Sequence, residues 1–256
     1  MSIYICKKCM NILKNNFSSL NCLNCGVSIE CINNEIPLFY SPGEKKDINL
    51  FGLATKLFSS PTLYDFMIKI KTFIAPDAFI GINEFVKNKI FLNIGCGSNI
   101  TAKNLEYDIK EIKEIYALDS SKEFILAASE RFLNKKYISF LVASADDLPF
   151  ADKIFDVSML AFVLHHLPFP LHIALNEAAR VTKGELIIFD HIKSSNYFLG
   201  LIQSIYWNIF DGGTQYLTKN EWDIVLKDFI IIKRLRTGKI GLHVIKLVII
   251  KKDLVI

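Results

Sequence analysis

From Lys89 onward the chain alternates short apolar runs with helical stretches, and few folds accept that order. The runs are KIFLNIG, EIYALDSS, YISFLVASADDLPF, FDVSMLAFVLHHL and GELIIFDHI. Between them, SKEFILAASERFLNK and LHIALNEAARVTK open with helix-starting residues and carry apolar positions at i, i+3, i+4 spacing. Strands alternating with helices mean βαβ units and a mostly parallel sheet. Such sheets bind ligands at the carboxyl ends of their strands. Here those ends carry Gly95, Asp119, Ser144 to Asp147, Ala161 to His166, and Asp190 to His191. Further on, IIIKRLRTGKIGLHVIKLVIIKK reads as two more strands joined by a glycine-containing loop.

The first run ends in FLNIGCGSNI, a glycine turn, and the turn narrows the choice of ligand. A dinucleotide loop needs a third glycine for close helix–strand packing, and Ile100 occupies that place. A Walker A loop needs Gly-Lys-Ser/Thr, which is absent. Pyrophosphate is therefore poorly served. Asp119 nevertheless ends the second run, 24 residues past Gly95, where an acid hydrogen-bonds ribose hydroxyls. A ribose acid beside a two-glycine loop fits an adenosyl compound that lacks phosphates.

Taken together, LNIGCGSN, YALDSS, ASADDLPFADKIFDVSMLAFVLHHL and EAARVTKGELIIFD resemble the class I S-adenosylmethionine-dependent methyltransferases, in their type 11 or quinone-type branch. The resemblance covers Lys89 to Ile192 and, more loosely, the C-terminal end. It implies a Rossmann-like α/β fold: a mostly parallel seven-stranded sheet closed by an antiparallel hairpin. It also implies an enzyme that uses S-adenosyl-L-methionine. By the same resemblance Gly95, Cys96 and Gly97 let the backbone approach the methionine and ribose parts. Asp119 takes both ribose hydroxyls, and Ser120 sits beside the adenine. Ala145 and Asp146 meet the adenine edge, although Asp146 or Asp147 reads equally well as the cap of the next turn. Ser144 stands where relatives often carry Asp. Ala161 and Phe162 line the cleft. Asn93 replaces a frequent acid that holds the methionine ammonium; an amide still accepts a hydrogen bond, without the full charge.

Methyl transfer is an in-line displacement, so the acceptor must be oriented and sometimes deprotonated. His166 and His165 end the fourth run and are candidate general bases; the bland reading is a packing feature in which one imidazole bonds the backbone. His191 follows the fifth run and is a further candidate. LFGLATKLFSSPTLYDFMIKIKTFI reads as one or two amphipathic helices that cap the site. Tyr206, Trp207, Phe210 and Tyr216 could wall an apolar substrate pocket or simply form core. Asp211 to Gly213 make a sharp turn, and LTKNEW starts a capped helix.

The first forty residues pose a separate question. Cys6 and Cys9 are separated by two residues, Cys22 and Cys25 likewise. Zinc wants four thiolates in a tetrahedron, and each CxxC turn delivers two. Cys6, Cys9, Cys22 and Cys25 are thus the expected structural Zn2+ ligands, with Gly26 allowing a left-handed turn and Cys31 left over. So small a unit has little core, and metal would supply its folding energy. The expected boundaries are a zinc ribbon over 1–42, a linker and helical cap over 43–88, and the cofactor-binding domain over 89–256.

Composition excludes little. A net charge of +4 with scattered Lys and Arg is too mild to argue for nucleic acid by itself. No secretory pattern and no membrane-length apolar run stand out, and six cysteines suit a reducing compartment, so a cytoplasmic location is expected. The leading function is methyl transfer to a small or lipid-like molecule. The alternatives are an RNA methyltransferase that grips ribosomal RNA with the ribbon, and a non-catalytic binding module of the same fold. The methyl acceptor, the atom methylated and the oligomeric state are not legible.

Overall fold

A computed structural model describes residues 3–16, 18–40, 83–98, 112–133, 135–237 and 243–252. The expected cap over 43–88 lies outside them, apart from its last residues, which include the short helix α1 (Asn83–Val86). A seven-stranded sheet forms the body. In chain order its strands are β5 (Ile90–Ile94), β6 (Glu114–Asp119), β7 (Ile138–Val142), β8 (Val157–Ala161), β9 (Leu186–Ile192), β10 (Phe229–Thr237) and β11 (His243–Lys251). In space they run β10-β11-β9-β8-β5-β6-β7. The five strands from β7 to β9 are parallel. β11 pairs antiparallel with β9 and with β10, so the expected hairpin closes the sheet with its second strand inserted.

The central strands are buried on both faces, which is why they read as continuous apolar runs. Alternate residues feed two cores. Phe91, Ile115, Val157 and Ile187 point to one, packed under α2 (Lys122–Arg131) through Ile125 and Ala128. Leu92, Leu118, Leu160 and Ile188 point to the other. That face is covered by Ala174, Leu175 and Ala178 of α3 (Leu171–Val181) and by Trp222 of α5 (Lys219–Val225). Ser121 caps α2, accepting the Phe124 N–H at 3.2 Å. Thr218 and Glu221 form the capping box expected from LTKNEW.

The strand order reverses between β5 and β8: α2, between β6 and β7, covers one face of the sheet, and α3, between β8 and β9, covers the other. In such sheets ligands bind outside the carboxyl ends of the strands at this point. Between β9 and α5 the helix α4 (Tyr197–Asp211) lies over this end, and Gly212 stops it in a left-handed conformation at φ +72°.

At the N-terminus β1 (Lys14–Asn16), β2 (Ser19–Asn21), β3 (Ser28–Ile32) and β4 (Ile36–Pro37) make a small antiparallel sheet. Its exit segment runs beside the edge strand β7, with Leu38 bridged to Val142. Among the described residues no helix is long and apolar enough to cross a membrane.

Candidate active site

β5 ends at Ile94, and the chain turns at once through Gly95 (φ +68°) and Gly97 (φ +56°). Both lie in the region that side chains avoid. A Cβ on Gly95 would come within 1.9 Å of Val163 Cγ2, so the turn is pressed against the segment leaving β8. Asp119 reaches across from β6. Its Oδ2 accepts the Gly97 N–H at 2.9 Å and its Oδ1 accepts the Ser121 N–H at 2.9 Å. The Cys96 N–H donates to the Leu118 carbonyl at 2.8 Å. Acid and turn therefore hold each other in place. Burial raises the Asp119 pKa, while N–H groups of Ser121, Gly97 and Ser120 favour its charge. The Cys96 thiol is buried and pushed well up by burial and by Asp119, so it stays neutral. Asn93 is buried in β5, level with Ala117 on one side and Met159 on the other.

The neighbouring strand β7 leads into Ser144 to Phe150. The Ala143 N–H bonds the Asp119 carbonyl at 3.0 Å, which ties this loop to the acid. Ala145 is buried, while Asp146 and Ser120 are exposed. The turn is closed by the Asp147 N–H on the Ser144 carbonyl, and no helix follows it for Asp146 to cap.

β8 supplies the other wall. Ala161 and Phe162 are buried at its end, and Phe162 holds φ +57°, an uncommon conformation for a bulky residue. A single turn of 3-10 helix follows, Leu164–His166. His165 is 1% exposed, and its Nδ1 lies 2.5 Å from Asp190 Oδ1 at the end of β9. Its Nε2 is 3.1 Å from Asp211 Oδ2, at the end of α4. Asp211 also takes the His191 Nε2 at 2.7 Å and faces the His166 Nε2 at 3.6 Å. Burial alone would lower the His165 pKa, but the Asp190 and Asp211 carboxylates outweigh it and raise it to about 9. Burial would raise Asp190, yet the His165 charge holds it below the usual carboxylate range. Of the three clustered imidazoles His166 is the open one, with its side chain 38% exposed. His191 stacks on Trp207 at 4.6 Å, and His165 stacks on Tyr216 at 5.4 Å. Trp207 and Tyr216 thus pack against the cluster, while Tyr206 is partly exposed and the Phe210 side chain lies outside what is described.

Residues 92–189 match the family model described as a methyltransferase domain. Over that stretch the chain is similar to methyltransferase domains, and its fold is that of the class I methyltransferases. The ubiquinone/menaquinone biosynthesis C-methyltransferase UbiE of Rickettsia bellii is 28% identical to it over 153 residues, 54% of this chain and 61% of that one. The demethylmenaquinone methyltransferase of Bacillus licheniformis is 27% identical over 153 residues, 57% of this chain and 64% of that one. The chain thus spans less than two thirds of the length of these relatives. Its methyltransferase fold is shared with a chain from the Haloferax volcanii complex between the Trm112 methyltransferase activator and a methyltransferase. There the TM-score is 0.63 at 16% identity, covering 77% of this chain and 96% of that one.

Outside the methyltransferase domain, the Sγ atoms of Cys6, Cys9, Cys22 and Cys25 lie within 4.8 Å of one another. Four sulfurs about 2.3 Å from one zinc ion would stand about 3.8 Å apart, so the set fits that metal. The two knuckles match: the Cys6 carbonyl accepts the Met10 N–H at 2.7 Å and the Cys22 carbonyl accepts the Gly26 N–H at 3.0 Å. Met10 (φ 60°) and Gly26 (φ 73°) both sit in the left-handed region, so only the second knuckle has the glycine this geometry favours. Hydrogen bonds from the Asn11 backbone and from the Asn24 and Asn11 side chains pull the Cys9 thiol down to about 5. The Val27 N–H favours the Cys25 thiolate, but desolvation and the three neighbouring thiols push it up to about 12. Four thiolates together would need a cation between them.

The structure brings Gly95, Gly97 and Asp119 together, and separately His165, His166 and His191. It gives a part to two acids that the sequence placed without a role, Asp190 at a strand end and Asp211 in a turn. The only available signals were an acid at a strand end and an acid opening a DGG turn.

Proposed function

We propose that the chain is an S-adenosylmethionine-dependent methyltransferase whose acceptor is a small or lipid-like ring compound of the quinol type. The observation that carries this reading is that the carboxyl end of one sheet presents both halves of a transfer site. One half is the glycine turn locked to Asp119; the other is a histidine cluster on β8, β9 and α4. The names of the relatives support the acceptor class, since they act in quinone biosynthesis.

The cofactor supplies a methyl group on a sulfonium, ready for displacement. This chain's part is to bind and orient. Asp119 and the backbone of Gly95 to Gly97 hold the ribose side, Ala145 and Asp146 the adenine side, and the Asn93 amide the methionine end. Ala161 and Phe162 form the wall between cofactor and acceptor. His166 takes the proton of the acceptor hydroxyl, which raises electron density on the ring to be methylated. Asp211 behind it favours the imidazolium that forms. His165 is already charged near neutral pH and is shut away from solvent, so its role is positioning: it fixes Asp190 and Asp211. The four cysteines hold a structural zinc ion, and the units fall at 1–42, 43–88 and 89–256. RNA is not favoured as a substrate, because residues 1–42 contain no arginine and one of their few lysines, Lys7, is engaged by Asp147 at 2.5 Å.

The test is incubation of the purified chain with methyl-labelled cofactor and a demethylmenaquinol. Label is expected in the quinol. Binding of S-adenosylhomocysteine without label in any quinol would remove the acceptor class and leave the cofactor reading standing.

A further inference from the structure

The cysteine unit does not hang beside the methyltransferase domain; it grips the loop that leads from β7 past the candidate adenine residues. The grip comes from the first knuckle. Cys6 is flanked by Ile5 and Lys7, and both neighbours hold that loop. The Ile5 N–H donates to the Pro149 carbonyl at 3.0 Å. Lys7 Nζ donates to the Leu148 carbonyl at 3.1 Å and pairs with Asp147 at 2.5 Å. One residue earlier, Tyr4 bridges to Phe150, with ring centroids 5.5 Å apart. The exit segment takes hold further back, with the Phe39 and Tyr40 N–H groups on the Val142 carbonyl at 2.9 and 3.2 Å.

The other side of the loop is fixed independently. Glu177 accepts the Leu148 N–H at 2.9 Å, and Arg180 donates to the Leu148 and Phe150 carbonyls at 2.9 and 2.8 Å. The loop is therefore clamped between α3 and the knuckle. At its turn, Ser144, Ala145 and Asp146 make none of these hydrogen bonds to either clamp. A knuckle's backbone is set by what its two sulfurs bind, so any change at the metal site reaches Ile5 and Lys7 within one residue.

Building on the cofactor and zinc readings above, we propose that Ile5 and Lys7 are positioning residues for the cofactor. They transmit metal occupancy of Cys6, Cys9, Cys22 and Cys25 to the Ser144–Phe150 loop, so that the metal-loaded chain binds the adenosyl cofactor more tightly. The coupling is reciprocal, and cofactor makes the metal harder to remove.

Calorimetry with S-adenosylhomocysteine on the full chain tests this, with zinc content measured on each sample. Chelator-stripped protein is expected to bind about tenfold more weakly than zinc-loaded protein. Lys7→Ala keeps all four cysteines and one equivalent of zinc, and is expected to bind about three- to tenfold more weakly. Lys8→Ala, an exposed change in the same knuckle, is expected to match the wild type. Hydrogen exchange over 142–150 should quicken in Lys7→Ala and slow again on adding ligand. Asp147→Asn should weaken binding as Lys7→Ala does, and the double variant should be no worse than either. If stripping unfolds the ribbon, these two variants still decide. Wild-type affinity in zinc-loaded Lys7→Ala and Asp147→Asn would overturn the proposal. Wild-type protein that binds no S-adenosylhomocysteine would overturn the cofactor reading on which it rests.

Discussion

The two ends of the candidate site are built in opposite ways. The proposed cofactor end is made of backbone: two glycines in left-handed conformations and one acid that accepts the N–H groups of Gly97 and Ser121. Its parts lie in two consecutive strands. The acceptor end is made of side chains, with two carboxylates and three imidazoles drawn from a 3-10 turn, a strand end and a helix end. A backbone site tolerates change in most side chains around it but not in its glycines or its acid. A charge cluster depends on every member, because removing one leaves another buried and uncompensated. The cofactor end is therefore general, and the acceptor end is where this chain can be particular.

That contrast can be broken experimentally. The largest effect is expected at the buried pair: Asp190→Ala should cost about 3–5 kcal/mol of stability in chemical denaturation, since it strands the His165 charge. A cost below 1 kcal/mol would mean that the cluster is not a unit. Next, His166→Gln should lower the rate of methyl transfer about 100-fold while leaving calorimetric affinity for S-adenosylhomocysteine unchanged, which separates the two ends. Asp119→Ala should do the reverse, weakening cofactor binding about 10- to 100-fold through lost hydrogen bonds to a charged group. Unchanged affinity there would sink the ribose assignment.

The smallest effect is on pH dependence. The folded-state pKa of His165 is raised from 6.5 to about 9, so its contribution is full below pH 6.5 and is lost as pH rises through about 9. The melting temperature should accordingly fall across that window in the wild type and stay flatter in Asp190→Asn. The depressed Asp190 pKa works on the acid side, where its contribution is present above the ordinary carboxylate range and lost as pH falls through its lower folded value.

The same contrast explains what could be read from the sequence. The alternation of strands and helices, the two C-terminal strands and the glycine turn followed from patterns of a few neighbouring residues, and β5 to β11 lie where those patterns put them. The capping box at Thr218 and the left-handed Gly212 were equally local. The pairing of Asp190 and Asp211 with the histidines was not legible, because it depends on a meeting between residues 20 to 46 positions apart in the chain. Lys7 is the extreme case: its partner Asp147 is 140 residues away, and nothing near either residue announces the pair. Phe162 shows a third kind of limit. Its left-handed backbone runs against the preference of its own side chain, so nothing local in the sequence marks it.

The central claim is that the Gly95–Gly97 turn and Asp119 form an adenosyl-cofactor site. Titration of the full chain with S-adenosylhomocysteine, followed by calorimetry, tests it most directly. One equivalent bound by the wild type, with affinity lost in Asp119→Ala and kept in His166→Gln, is the expected result. No binding at millimolar ligand would contradict it.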